Sequence, residues 1–91
     1  MSQELESLPN IGKKIAEKLH KIGINDVDEF MENDPYEMFI RLKLKVEPTL
    51  CRCALASIVG AKEGIVWHKI HKKSAEELER RYPELKWKNK C

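Results

Sequence analysis

Leu8-Pro9-Asn10-Ile11-Gly12-Lys13-Lys14-Ile15-Ala16-Glu17-Lys18-Leu19 reads as a tight hairpin that feeds an amphipathic helix. Pro9 fixes φ, Asn10 tolerates a left-handed backbone, and Gly12 turns the chain while leaving its amides uncovered. The helix of residues 12–21 that follows has no intrahelical partner for its first N–H groups. Those donors lie at the positive end of a helix dipole with Lys13 and Lys14 beside them, an arrangement that suits an anion and above all a phosphate. Ile11, Ile15, Leu19 and Ile22 form one apolar stripe, and Lys14, Lys18 and Lys21 share the opposite face. Gly23 ends the helix.

Working outward, residues 2–8 read as a short first helix with Leu5 and Leu8 turned inward. Asn25 is placed to cap a short helix carrying Val27, Phe30 and Met31. Asp34-Pro35-Tyr36-Glu37 combines an acidic cap, proline at the first helical position and glutamate three residues after the cap, and starts a helix to about Leu44. Pro48 opens the most apolar helix, with Leu50, Cys51, Ala54, Leu55, Ile58 and Val59. Within it Ala56 and Gly60 leave a face without bulk. Glycine costs about 1 kcal/mol against alanine inside a helix, so a close approach of another group is expected there. Gly64 ends this helix. Residues 65–70 read as a connector across the core with Trp67 as its largest piece. A last helix over 72–82, or one starting later at a Ser74–Glu77 capping box, stops before Pro83. A basic tail over 83–91 holds Trp87.

No strand alternation, repeat or linker interrupts this pattern. It predicts an all-α fold, a single helical domain over residues 1–91 made of five or six short helices. The expected core includes Leu8, Ile11, Ile15, Leu19, Phe39, Leu55, Gly60 and Trp67.

An apolar content of 42% supplies one core for 91 residues, and 35% charged residues give a well-solvated surface. The longest apolar run is too short to span a bilayer, which predicts no membrane partner. The acidic start Met1-Ser2-Gln3-Glu4-Leu5-Glu6 lacks the apolar region of a signal peptide. With three cysteines, the expectation is a reducing cytoplasmic setting and free thiols. The net charge of +2 conceals a division. Residues 1–40 carry nine acidic and four basic side chains, and residues 41–91 carry thirteen basic and six acidic. The basic half can attract a polyanion or simply solvate helix faces.

Three clusters bear on other chemistry. Cys51-x-Cys53 with His68-x-x-His71 offers metal-ligand atoms. Residues two apart on a helix point to different sides, however, so no metal and no cofactor is expected. A cysteine nucleophile would need a pocket and an orienting acid that the spacing does not supply. Asp26, Asp28, Glu29, Glu32 and Asp34 lack the ligand spacing and central glycine of a calcium loop and fit the first turns of two helices. With no triad, Walker loop or metal quartet, the expectation is a non-catalytic protein.

The hairpin resembles the helix-hairpin-helix motif, whose turn amides grip a nucleic-acid backbone; the departure is Asn10, where DNA-binding members most often carry glycine. The whole chain looks like the C-terminal domain of the TfoX (Sxy) competence-regulator family. That likeness rests on Leu8-Pro9-Asn10-Ile11-Gly12, Leu19, Ile22-Gly23-Ile24, Leu42, Ala54-Leu55, Gly60-Ala61-Lys62-Glu63-Gly64-Ile65-Val66-Trp67-His68 and Leu78, over about residues 5–82. It implies a helix-hairpin-helix or sterile-alpha-motif-like fold and a link to competence regulation. It also implies an additional N-terminal domain, for which these residues leave no room. A weaker resemblance, to the pathogenicity-locus (Cdd1-like) family, rests on the hairpin and on Leu85-Lys86-Trp87-Lys88.

Two function classes follow. In one, Asn10, Gly12, Lys13 and Lys14 meet the phosphates of DNA independently of base sequence, with Lys18 and Lys21 adding attraction. In the other, the hairpin only joins two core helices and the domain binds another protein or a second copy of itself.

Overall fold

Apolar side chains at three- and four-residue intervals build five helices, with no strand, among residues 4–84, the part of the chain described in this computed structural model. The helices are α1 (Lys13–Lys21), α2 (Val27–Glu32), α3 (Pro35–Lys45), α4 (Arg52–Glu63) and α5 (Trp67–Arg81). The fold is all-α. The expectations placed on Trp87, Cys91, the Leu85–Lys88 ending and the first residues of the opening helix lie outside the described residues.

Local chemistry sets the helix ends. Gly23, at φ +90°, closes α1: its amide donates to His20 O (3.1 Å) and the Ile24 amide donates to Leu19 O (3.0 Å), the paired bonds of a Schellman ending. Asp26, rather than the expected Asn25, caps α2 by accepting from the Glu29 amide at 2.9 Å. Asn25 still contributes, because its own amide donates to Glu29 Oε1 at 3.0 Å. Asp34 caps α3, accepting from the amides of Tyr36 (2.8 Å) and Glu37 (3.3 Å).

Three sequence expectations need correction. The opening helix is a single 3-10 turn, Leu5–Ser7. The helix expected from Pro48 starts at Arg52, after Leu50 and Cys51 have passed in extended or turn conformation. The connector expected at 65–70 is already helix from Trp67 onward. Its start sits at the rim of the bundle, and Ile70, Ser74 and Leu78 supply the inward stripe. Trp67 is therefore 39% exposed instead of being the centre of the core.

The core is carried by Phe30, Met38, Phe39, Leu42, Leu55, Ile58 and Leu78, all fully buried, with Ile11 and Leu19 of the hairpin helix joined to it. Leu8 and Ile15 are only partly buried against it. The antiparallel pair α4 and α5 forms the most extensive helix contact, and α3 packs on α4. At the far end of the pair, Arg81 Nη1 bonds Asp34 Oδ2 (2.9 Å), its Nε bonds Glu77 Oε2 (2.7 Å), and its guanidinium lies 4.4 Å from the Tyr36 ring centre. That cluster fastens the end of α5 to the start of α3.

Candidate nucleic-acid interface

The hairpin is built from the bottom by two turn bonds, Leu8 N to Leu5 O (3.0 Å) and Ile11 N to Leu8 O (3.4 Å). Between them Asn10 adopts φ +67°, the only positive φ of a non-glycine residue among those described. Gly12 is extended and stands at the N-cap of α1, where it has no side chain to fold back onto the helix. The Ala16 amide donates to Gly12 O at 3.0 Å. The amides of Gly12, Lys13 and Lys14 donate to no acceptor among the described residues, and all three residues are exposed. A β-carbon at Gly12 would meet nothing within 4 Å, so the space on that side of the residue is open.

The lysines expected around the hairpin separate into two groups. Lys13, Lys14 and Lys21 are exposed and form no ion pair among the described residues. Lys18 is half-buried and turned toward Glu47, 3.7 Å from Oε1, so it does not join them.

Asn10 does not face outward as a phosphate ligand would. Its Nδ2 donates to Ile65 O (2.7 Å), and its Oδ1 accepts from the Trp67 amide (3.1 Å). The side chain thus caps the first turn of α5 from 57 residues away. Gly60 makes this possible. A β-carbon there would stand 2.7 Å from Asn10 Nδ2 and still closer to the Ile65 carbonyl oxygen. Left-handed geometry at Asn10 was legible in the sequence, but its partners were not, since no local pattern links residue 10 to residues 65 and 67.

Three cations of the basic half are occupied by the protein's own carbonyls. Lys62 Nζ bonds Met31 O (2.8 Å) and Asn33 O (2.6 Å), Arg41 bonds Ile22 O (2.8 Å), and buried Lys43 bonds Pro48 O (2.9 Å) and Leu50 O (3.1 Å). Lys62 and Arg41 satisfy backbone acceptors at or just beyond a helix end, and Lys43 satisfies two in the connection between α3 and α4. Among the described residues of this half, the exposed cations with neither a carbonyl nor a carboxylate partner are Lys45 of α3 and Lys69, Lys72 and Lys73 of α5.

The cysteines separate as well. Cys51 takes part in a disulfide, which corrects the expectation of free thiols throughout. Cys53 is free, with its Sγ 3.6 Å from His71 Nε2. Trp67 makes T-shaped contacts with His68 (5.8 Å) and His71 (6.0 Å). No group of three or more metal-ligating side chains converges among the described residues, and no described helix is long and apolar enough to cross a membrane.

The family model described as Cdd1, pathogenicity locus, matches residues 1–63. The chain belongs to the Cdd1 pathogenicity-locus family. This overturns the assignment to the TfoX competence regulators, whose resemblance rested chiefly on the Gly60–His68 segment; the matching family is the one whose likeness had stood second. The Cdd1 match spans the hairpin and α1 to α4 and stops one residue before Gly64, so Asn10 ties the matched part to Ile65 and Trp67 just beyond it. The mitomycin resistance protein McrB of Streptomyces lavendulae is 28% identical over 58 residues, 64% of this chain. The match spans 55% of that protein's length. Two crystal structures of Listeria monocytogenes proteins share the fold of this Cdd1 chain. An uncharacterized protein in a triclinic form has a TM-score of 0.75 and 31% identity, with 88% of this chain and 90% of that one covered. A protein of unknown function in a tetragonal form has a TM-score of 0.76 and 32% identity, with 90% and 100% covered.

Proposed function

We propose that this Cdd1-family domain is a non-catalytic module that holds the backbone of a nucleic acid through its hairpin. The observation that supports this reading most directly is the row of unpaired, exposed amides at Gly12, Lys13 and Lys14. They stand at the positive end of α1 beside two exposed lysines without an ion pair among the described residues, Lys13 and Lys14, while Lys21 stands at the opposite end of the same helix. Backbone donors and point charges recognise phosphate and carry no information about base sequence. Asn10 contributes to this site by fixing the hairpin from behind, and Lys18 is removed from it by Glu47.

Titration of duplex DNA at two salt concentrations tests the reading. With two or three phosphates neutralised, affinity falls roughly 10- to 40-fold between 50 and 200 mM salt. A Lys13→Glu, Lys14→Glu variant loses most of the binding at the lower salt. Absence of binding at low salt, or unchanged binding by that variant, overturns the proposal.

A second reading, a surface for another protein or a second copy, is favoured by apolar side chains left open at Ile65, Val66 and Trp67 and by Leu44, which is 79% exposed. Sedimentation velocity over a wide concentration range separates the self-associating form of this reading from a monomer.

A further inference from the structure

The start of α5 and the hairpin form one continuous surface, because the two bonds of Asn10 hold them edge to edge. Gly12, the first of the open amides, is two residues from Asn10, a separation of no more than about 7 Å along the chain. On the other side of Asn10 stand Ile65, Val66 and Trp67, 36%, 43% and 39% exposed. Consecutive large apolar side chains left in water are a recurrent mark of a binding surface. Lys69 and Lys73 line the same shallow concavity as Ile65 and Val66, with Glu63 as its acidic member. The exposed indole follows directly on Ile65 and Val66 of this basic concavity, and its backbone amide is tied to the hairpin through Asn10, so the patch is suited to a ligand that is both flat and anionic. His68 and His71 meet the ring in T-shaped contacts, a favourable geometry for aromatic pairs.

We propose that Trp67 is a stacking platform for an unpaired base, and that the preferred ligand of this surface is single-stranded nucleic acid whose neighbouring phosphate lies on the hairpin amides. This rests on the nucleic-acid reading above and narrows it to a class of ligand. Bases inside a duplex have both faces covered by their neighbours, so only an unpaired or terminal base offers a face to the indole. Stacking is indifferent to base identity, as the backbone contact is.

The test compares a labelled single strand of about 12 nucleotides, within the usual range of binding-site lengths, with a duplex of the same sequence. Wild type, Trp67→Ala, Trp67→Leu and the Lys13→Glu, Lys14→Glu double variant are titrated against both, and circular dichroism reports folding. Wild type binds the single strand more tightly than the duplex. Trp67→Ala and Trp67→Leu weaken single-strand binding roughly 5- to 100-fold while leaving duplex binding unchanged; the leucine variant keeps apolar bulk at the rim and serves where alanine fails to fold. Unchanged single-strand binding in folded Trp67 variants, with loss in the lysine variant, overturns the stacking role and leaves the hairpin reading standing. A change in sedimentation without a change in nucleic-acid binding also overturns it and assigns the patch to a protein surface. No binding of either ligand by wild type removes both readings.

Discussion

Asn10 Oδ1 accepts a hydrogen bond from the amide of Trp67 at 3.1 Å, while its Nδ2 donates to the carbonyl of Ile65 at 2.7 Å. One side chain in the hairpin therefore closes the loop between α4 and α5 and caps α5. The residue also adopts a left-handed backbone, at φ +67°, which favours glycine on conformational grounds alone. Two requirements conflict here, and asparagine meets both, since it tolerates this region and brings a side chain that donates and accepts.

The conflict orders the variants at this position. Asn10→Gly keeps the backbone relaxed and loses two hydrogen bonds, lowering stability by about 1–2 kcal/mol. Asn10→Ala loses the same bonds and adds the steric cost of a β-carbon at positive φ, for a total of about 2–3 kcal/mol. Urea unfolding of the two variants checks this. Alanine as stable as glycine at this position would remove the argument from backbone strain.

Gly60 is the other half of the same device. In an open helix, Gly→Ala gains about 1 kcal/mol. Here the added carbon meets the Ile65 carbonyl oxygen and Asn10 Nδ2, one of them backbone and the other held by its own hydrogen bond. Gly60→Ala therefore lowers stability, by roughly 1–2 kcal/mol. Combined with Asn10→Gly the loss is less than additive, because one of the two obstructions has gone. A double-mutant cycle in urea reads the coupling, and additivity within error would show that the two sites are independent.

These residues also show where the sequence stops being informative. The cap at Asp34-Pro35 and the ending at Gly23 are local, formed by residues one to four positions apart, and both are legible from the chain alone. So is the apolar stripe of Ile11, Ile15 and Leu19, because helical periodicity is a local property. The Asn10 bridge is not local, and neither is the diversion of Lys18 to Glu47 or of Lys62 to the end of α2. A lysine in a sequence looks the same whether it meets a phosphate or a carbonyl of its own chain. The same limitation misplaced Trp67: its bulk argued for the core, whereas its position at the rim follows from a cap supplied by residue 10.

Trp67 and Phe39 separate bulk from burial in a second measurement. Phe39 is fully buried and Trp67 is not. Phe39→Ala costs about 3–5 kcal/mol, as core aromatics do. Trp67→Ala removes a larger side chain but returns less apolar area to water, and costs about 1–2 kcal/mol. Thermal or urea unfolding of the two single variants decides the matter, and a Trp67→Ala cost equal to that of Phe39→Ala would place the indole in the core.

The acid side of the stability curve depends on the start of α3. Partial burial pushes the Asp34 carboxyl upward, but the Arg81 guanidinium and the amides of Tyr36 and Glu37 together outweigh it and hold Asp34 below its ordinary value of 3.8. A carboxylate depressed in the folded state contributes stability that is fully present above that ordinary value. The contribution fades as pH falls through the folded-state value, where protonation breaks the pair with Arg81. Asp34→Asn keeps a side chain that caps the helix and removes the charge. Because the ion pair is partly exposed, the variant loses at most about 1 kcal/mol at neutral pH. The expected result is a gap between wild type and Asp34→Asn in unfolding temperature that is constant from neutral pH down to about pH 4 and then closes as the pH is lowered further. Salt narrows the gap at neutral pH, since the pair is screened. A gap that stays constant in strong acid would assign the effect of Asp34 to its capping bonds rather than to its charge.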